Sequence, residues 1–168
     1  MNRVVAVVLI LTFSAPAWGR PACTGETEKD AMAVRVLQSE FMVAAVACNQ
    51  ASAYNSFVRK FQTFLTSQGL ALKGYFARID GPHSERGLND FLTEIANGWA
   101  IVHMKDKNAY CKNAWDRMWI ATNQSTPKAD LIAQARERAL VPSVSGSLCP
   151  GVGKAKSATS KPYSNKAK

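Results

Sequence analysis

The chain has 168 residues, 47% of them hydrophobic and 20% charged, with a formal net charge of +9. That length and apolar content exclude a chain too polar to fold and fit one domain with a real core. The charge is uneven: residues 20–150 hold 15 Lys and Arg against all 12 Asp and Glu, whereas residues 151–168 hold five lysines and no acid, so the body is near neutral and no specific nucleic acid recognition is expected.

The N-terminus places Arg3 before an apolar run from Val4 to Phe13, and Ala17-Trp18-Gly19 then sets small residues at the two positions that signal peptidase reads. Residues 1–19 are expected to be a signal peptide cleaved near Gly19, leaving a periplasmic or secreted protein. Ser14, Pro16 and Gly19 interrupt the run before the roughly 20 apolar residues that an anchor needs, so no transmembrane segment is expected in the mature chain. Arg20 stands where a lipoprotein signal before Cys23 would carry an aliphatic residue.

Five helical segments and no strand follow. Thr27 and Asp30 form a variant capping box ahead of apolar residues at Val34, Leu37, Phe41, Ala44 and Cys48, with a second stripe through Met32, Val36, Val43 and Val46. A helix apolar on two faces is packed on two faces, which makes residues 28–49 the expected bundle centre. The second segment runs from Ser52 to Ile79 with Tyr54, Phe57, Phe61, Phe64, Leu65, Leu72 and Phe76 on one face, and Gly69 marks a place where it can bend. Asp80-Gly81-Pro82 is a turn, and Ser84 is expected to cap a third helix with Leu88, Phe91, Ile95, Trp99 and Val102 inward. Asp106 is expected to cap a fourth, bearing Tyr110, Cys111, Ala114, Trp115, Met118 and Trp119, and Thr126-Pro127 to start a fifth with Leu131, Ile132, Ala135 and Ala139 inward.

Residues 20–150 are therefore expected to form an all-α, disulfide-stapled up-and-down bundle of four to five helices, and 151–168 a disordered Lys-rich tail. Along an intact first helix, Cys23 and Cys48 would stand roughly 35 Å apart, far beyond disulfide reach. The up-and-down order brings the end of helix one to the start of helix four, which pairs Cys48 with Cys111 and leaves Cys23 with Cys149.

The sequence holds no redox Cys-x-x-Cys, no metalloprotease His-Glu-x-x-His, no nucleophile elbow and no phosphate loop. No catalytic residue, metal or cofactor is assigned. His83 lies in a turn, and His103, one turn after Trp99, is expected to be a partly buried capping residue rather than a metal ligand, because no His or Cys stands at ligand spacing to it and the cysteines are expected to be oxidised. Glu40, on the central helix between two apolar stripes, is expected to pair with an arginine or to lie on a solvated flank of the helix rather than to act as a general acid. Trp115 and Trp119, at i and i+4, are expected in the core rather than in a ligand groove.

The stretches Ala33-Val34-Arg35-Val36-Leu37-Gln38-Ser39-Glu40-Phe41, Tyr54-Asn55-Ser56-Phe57-Val58-Arg59-Lys60-Phe61, Tyr75-Phe76-Ala77-Arg78 and Leu88-Asn89-Asp90-Phe91 resemble a family of small exported bacterial helical proteins of unknown function. The resemblance spans about residues 29–115 and implies export and a helical fold. Two functional classes follow: a non-enzymatic binding or structural module of the cell envelope, and an envelope glycan or peptide hydrolase using Glu40 or Asp90. For the first, the expected partner is an anionic envelope polymer, met by Lys154, Lys156, Lys161, Lys166 and Lys168, or another envelope protein, with the chain itself monomeric.

Overall fold

A computed structural model describes residues 25–145 and 147–149. The helices are α1 (Glu26–Ala47), α2 (Ala51–Lys60), α3 (Gln62–Asp80), α4 (Ser84–Lys105), α5 (Lys107–Asn123), α6 (Lys128–Arg138) and the single turn α7 (Pro142–Ser145), with a 3-10 turn at Gly81–His83. Among the described residues there is no strand, and the all-α, disulfide-bonded bundle is the fold.

The centre is α1, which packs against α2, α3, α4, α5 and α6. Its buried positions are Ala31, Met32, Ala33, Val34, Val36, Leu37, Ser39, Glu40, Phe41 and Ala44, so most of its circumference is covered. The second stripe is shorter than the spacing suggests: Val43 is only partly buried and Val46 is 80% exposed. Past Glu40, neighbours cover a narrower arc of the helix.

The start of α1 also differs from the capping-box expectation. Gly25 precedes the first turn without a side-chain cap, and the acids of that turn serve tertiary contacts. Arg136 of α6 donates to Asp30 at 2.6 Å and to Glu26 at 3.0 Å, and Arg78 at the end of α3 donates to Glu28 at 2.6 Å. Carboxylates here also oppose the positive end of the helix dipole. At the other end Asn49 takes a left-handed φ of 57°, a conformation that Asn tolerates better than most residues and that turns the chain directly into α2.

The expected single second helix is two helices. The break falls at Phe61, eight residues before Gly69, and Gly69 lies inside an unbroken α3. Both ladder bonds through Phe61 survive, from its N–H to the Phe57 carbonyl at 3.0 Å and from the Leu65 N–H to its own carbonyl at 2.8 Å. The cause of the bend is packing, since α2 lies on α5 and α1 whereas α3 lies on α1 and α4. Phe57 and Phe61 carry the corner: Phe57 packs edge-on against Phe41, with ring centroids 4.9 Å apart, and Phe61 follows at 5.3 Å.

Two further starts differ locally. Ser84 is the first residue of α4, after the 3-10 turn, rather than its cap. Thr126 turns its hydroxyl back to the Ile120 carbonyl at 3.4 Å, closing α5 instead of opening α6. Asp106 caps α5 as expected, accepting from the Ala109 N–H at 2.9 Å.

Beyond α6, the chain returns to α4 through α7, and buried Gly98 is the point of closest approach. A Cβ at residue 98 would collide with the Ser143 carbonyl oxygen and with Val144. Replacing Gly98 by Ala is expected to push α7 off α4 and lower stability by about 1–3 kcal/mol, the usual cost of overpacking. Urea unfolding of the variant beside the parent measures this, and an unchanged midpoint would show that α7 yields freely.

Candidate functional site

Glu40 is fully buried yet charged residues surround it. Arg117 of α5 donates to its Oε1, and Arg138 at the end of α6 donates through Nε to Oε2 at 2.9 Å and through Nη2 to Oε1 at 3.0 Å. One α1 carboxylate thus holds two other helices. Two aromatic donors reinforce the same stretch of α1: Trp99 Nε1 donates to the Val36 carbonyl at 2.9 Å, and the Tyr110 hydroxyl to the Glu40 carbonyl at 2.8 Å. The Arg138 guanidinium also lies over the Trp99 ring, 4.9 Å from its centroid, a placement the ring quadrupole favours. Burial, and next the Glu40 charge, hold the Tyr110 phenol far above its ordinary range, with the two arginines opposing. Burial lowers the pKa of Arg117, and the Glu40 charge works against that.

This geometry removes Glu40 from general acid chemistry, because both its oxygens already accept from guanidinium groups and no solvent reaches them. Asp90 is far from it in character: it stands on the surface, 3.9 Å from Arg86, with its side chain 64% exposed. It lines a shallow depression of about 260 Å³ with Asp80 and His83 at the α3–α4 elbow.

Cys48 and Cys111 are bonded to each other, with Cα atoms 5.7 Å apart, as the helix order requires. No described cysteine is free, and Cys149 is also bridged; its sulfur rests 3.0 Å from Met32 Sδ. Its expected partner Cys23 lies outside the described residues, as do Lys154, Lys156, Lys161, Lys166 and Lys168. Gln50 locks the same corner by donating from Nε2 to the Cys111 carbonyl at 2.8 Å. At the far end of the α2–α5 pair, the Lys60 ammonium donates to the Ala121, Thr122 and Gln124 carbonyls at 2.6–2.9 Å, closing the negative end of α5.

His103 is half-buried in the last turn of α4, as expected, and stands beside the disulfide. Its ligand atom and the sulfurs of Cys48 and Cys111 all lie within 4.8 Å of one another, a juxtaposition of α1, α4 and α5 that no sequence spacing reveals. Its ring meets Tyr110 edge-on at 5.5 Å.

Trp115 and Trp119 are not core residues. They are 45% and 50% exposed and line an uncharged groove of about 210 Å³ with Ser52, Ala53, Ser56 and Thr122. The residues of α5 that turn inward are Tyr110, Ala114, Met118 and Ala121, so the helix is set one position round from the face with most aromatic surface.

A larger depression, about 310 Å³, opens where α2 gives way to α3 against α1. Arg35, Gln38, Gln62, Thr66 and Lys73 supply its polar wall, and Val58, Leu65 and Leu70 its apolar one. Arg35 is the residue that sequence reasoning missed. Arg78, Arg117, Arg136 and Arg138 each meet a carboxylate, whereas among the described residues Arg35 donates only to the neutral Gln38 Oε1 at 3.0 Å. Burial lowers its pKa, with Tyr54 opposing. A half-buried cation with no counter-ion, next to a second cation on one cavity wall, is an arrangement that an incoming anion would satisfy.

No protein family model, no curated protein and no solved structure matches the chain.

Two expectations test this core. Glu40→Gln leaves two guanidinium groups around a neutral amide and is expected to cost about 3–5 kcal/mol in urea unfolding, the range for breaking a buried pair by removing one partner. The raised Tyr110 pKa stabilises the fold fully below the unfolded-state value near pH 10 and is lost above it, as the unfolded chain ionises first. Tyr110→Phe should flatten this alkaline loss of stability, measured as Tm between pH 9 and pH 11.

Proposed function

We propose that the protein is an exported, non-enzymatic module of the cell envelope that binds an anionic envelope polymer, with the Arg35 depression as the seat for a phosphate or carboxylate group. The observation that carries this reading is that Arg35 meets no acid among the described residues, whereas the half-buried Arg117, Arg136 and Arg138 each meet one. Lys73 on the same wall adds a second positive group, and the glutamine and threonine side chains offer neutral hydrogen bonds around it. The lysines of residues 151–168 extend the attraction as a long-range, salt-sensitive contact. The mature chain, after cleavage near Gly19, acts as a monomer in the periplasm or outside the cell. The occupied oxygens of Glu40 and the solvated position of Asp90 favour binding over hydrolysis.

The test is binding of lipopolysaccharide or teichoic acid to the full chain by calorimetry. Arg35→Gln removes a charge-assisted hydrogen bond, and affinity is expected to fall roughly 10- to 100-fold, with the loss persisting at 0.5 M salt. Replacing the five tail lysines with Gln should weaken binding only at low salt. Stability should respond in the opposite direction: Arg35→Met removes a desolvated, unmatched charge and is expected to leave urea resistance unchanged or raised. Equal affinity of the Arg35→Gln variant and the parent would refute the assignment.

A further inference from the structure

We propose that Cys48, Cys111 and His103 form a redox-gated site for a thiophilic divalent cation of the zinc class, closed while the two sulfurs are bonded and open once they are reduced. This inference is independent of the Arg35 reading. The three donors come from the end of α1, the first turns of α5 and the last turns of α4, and lie within 4.8 Å of one another. A tetrahedral zinc ion bound by two thiolates at about 2.3 Å and one imidazole at about 2.0 Å needs these donors about 3.5–3.8 Å apart. The bonded sulfurs are closer together than this and would separate on reduction by rotation of the two side chains, while the 5.7 Å between the cysteine Cα atoms can remain as it is.

Two orphaned polar atoms at the same corner point the same way. His103 Nε2 is buried without a hydrogen-bond partner, and so is Gln50 Oε1, although Gln50 spends its amide N–H on the Cys111 carbonyl. Buried polar atoms left unmatched are uncommon in folded proteins and mark places where an ion or water completes the structure. All three ligand residues are half-buried rather than sealed, so a small dithiol and a cation can reach them.

The chemistry balances with a dithiol as reductant. Exchange transfers two electrons and two protons to Cys48 and Cys111, giving two thiols, while the dithiol becomes a disulfide. Cation binding then releases both thiol protons, and the neutral ring of His103 supplies the third donor. A fourth position stays with water, or with Gln50. The bound cation replaces one cross-link between α1 and α5 by another, so the 63-residue loop that the disulfide closes remains closed in the reduced chain.

Cobalt(II) is the probe, titrated anaerobically into the full chain before and after treatment with dithiothreitol and its removal. The reduced chain is expected to bind one equivalent with thiolate-to-cobalt absorption corresponding to two sulfurs, and the unreduced chain none. Cys48→Ser/Cys111→Ser retains the other cysteine pair and should lose the signal. His103→Ala should move the visible cobalt bands and weaken binding at least about tenfold, with the helical circular dichroism of its oxidised form unchanged. If reduction alone loosens the fold, cobalt should restore the helical signal in the parent and not in the serine variant. The proposal is overturned by absence of cobalt binding in the reduced parent, by full binding in the serine variant, by an unaltered spectrum in His103→Ala, or by a reduced chain that stays unfolded with cobalt present.

Discussion

A carboxylate with no solvent access, in the middle of the central helix, is the constraint around which the bundle is arranged. Removing Glu40 from water costs several kcal/mol, and only charged or strongly donating neighbours offset that. The neighbours are Arg117 from α5 and Arg138 from α6, so the requirement of one residue dictates where two helices can lie. Hydrogen bonds from Trp99 and Tyr110 to the Val36 and Glu40 carbonyls, one helical turn apart, hold α4 and α5 in the matching register. Both ion pairs tie their helices to one point of α1, and a buried pair of this kind is weak evidence for net stability.

Two fastenings set the second layer. The disulfide and Gln50 join the starts of α2 and α5 to the end of α1, and Lys60 joins the end of α2 to the end of α5. With α2 held at both ends against α5, α3 must turn to reach α4, and the helix breaks at Phe61. The Arg35 depression lies under that turn. Its lining comes from all three helices, with Arg35 and Gln38 from α1, Val58 from α2, and Gln62, Leu65, Thr66 and Lys73 from α3.

Charge is used in two distinct ways. Inside the bundle, arginines are matched one to one or two to one with acids, and their role is positional. Arg35 departs from that pattern, and so does the corner at the disulfide, where His103 Nε2 and Gln50 Oε1 are buried with no hydrogen-bond partner among the described residues. Both are places where local rules are broken without an internal compensation, which is the usual mark of a surface kept for something outside the chain.

Helical periodicity made the fold class, the central position of α1 and the Asp106 cap legible in the sequence, because each depends on residues within one or two turns of each other. The Cys48–Cys111 bridge was legible too, since short connections force antiparallel neighbours and leave few pairings. Phe61 carried no breaking residue, and Trp115 and Trp119 matched an inward stripe as well as Tyr110 and Met118 did. Whether a stripe is covered depends on which neighbour arrives, at what angle, and that is decided by long-range pairs such as Glu40 with Arg138. The same holds for Arg35 and His103: the amino-acid sequence alone determined that a disulfide-bonded helical bundle forms, and the tertiary structure alone decided which cation lacks an acid and which imidazole stands beside the sulfurs, because those are distances between helices far apart along the chain.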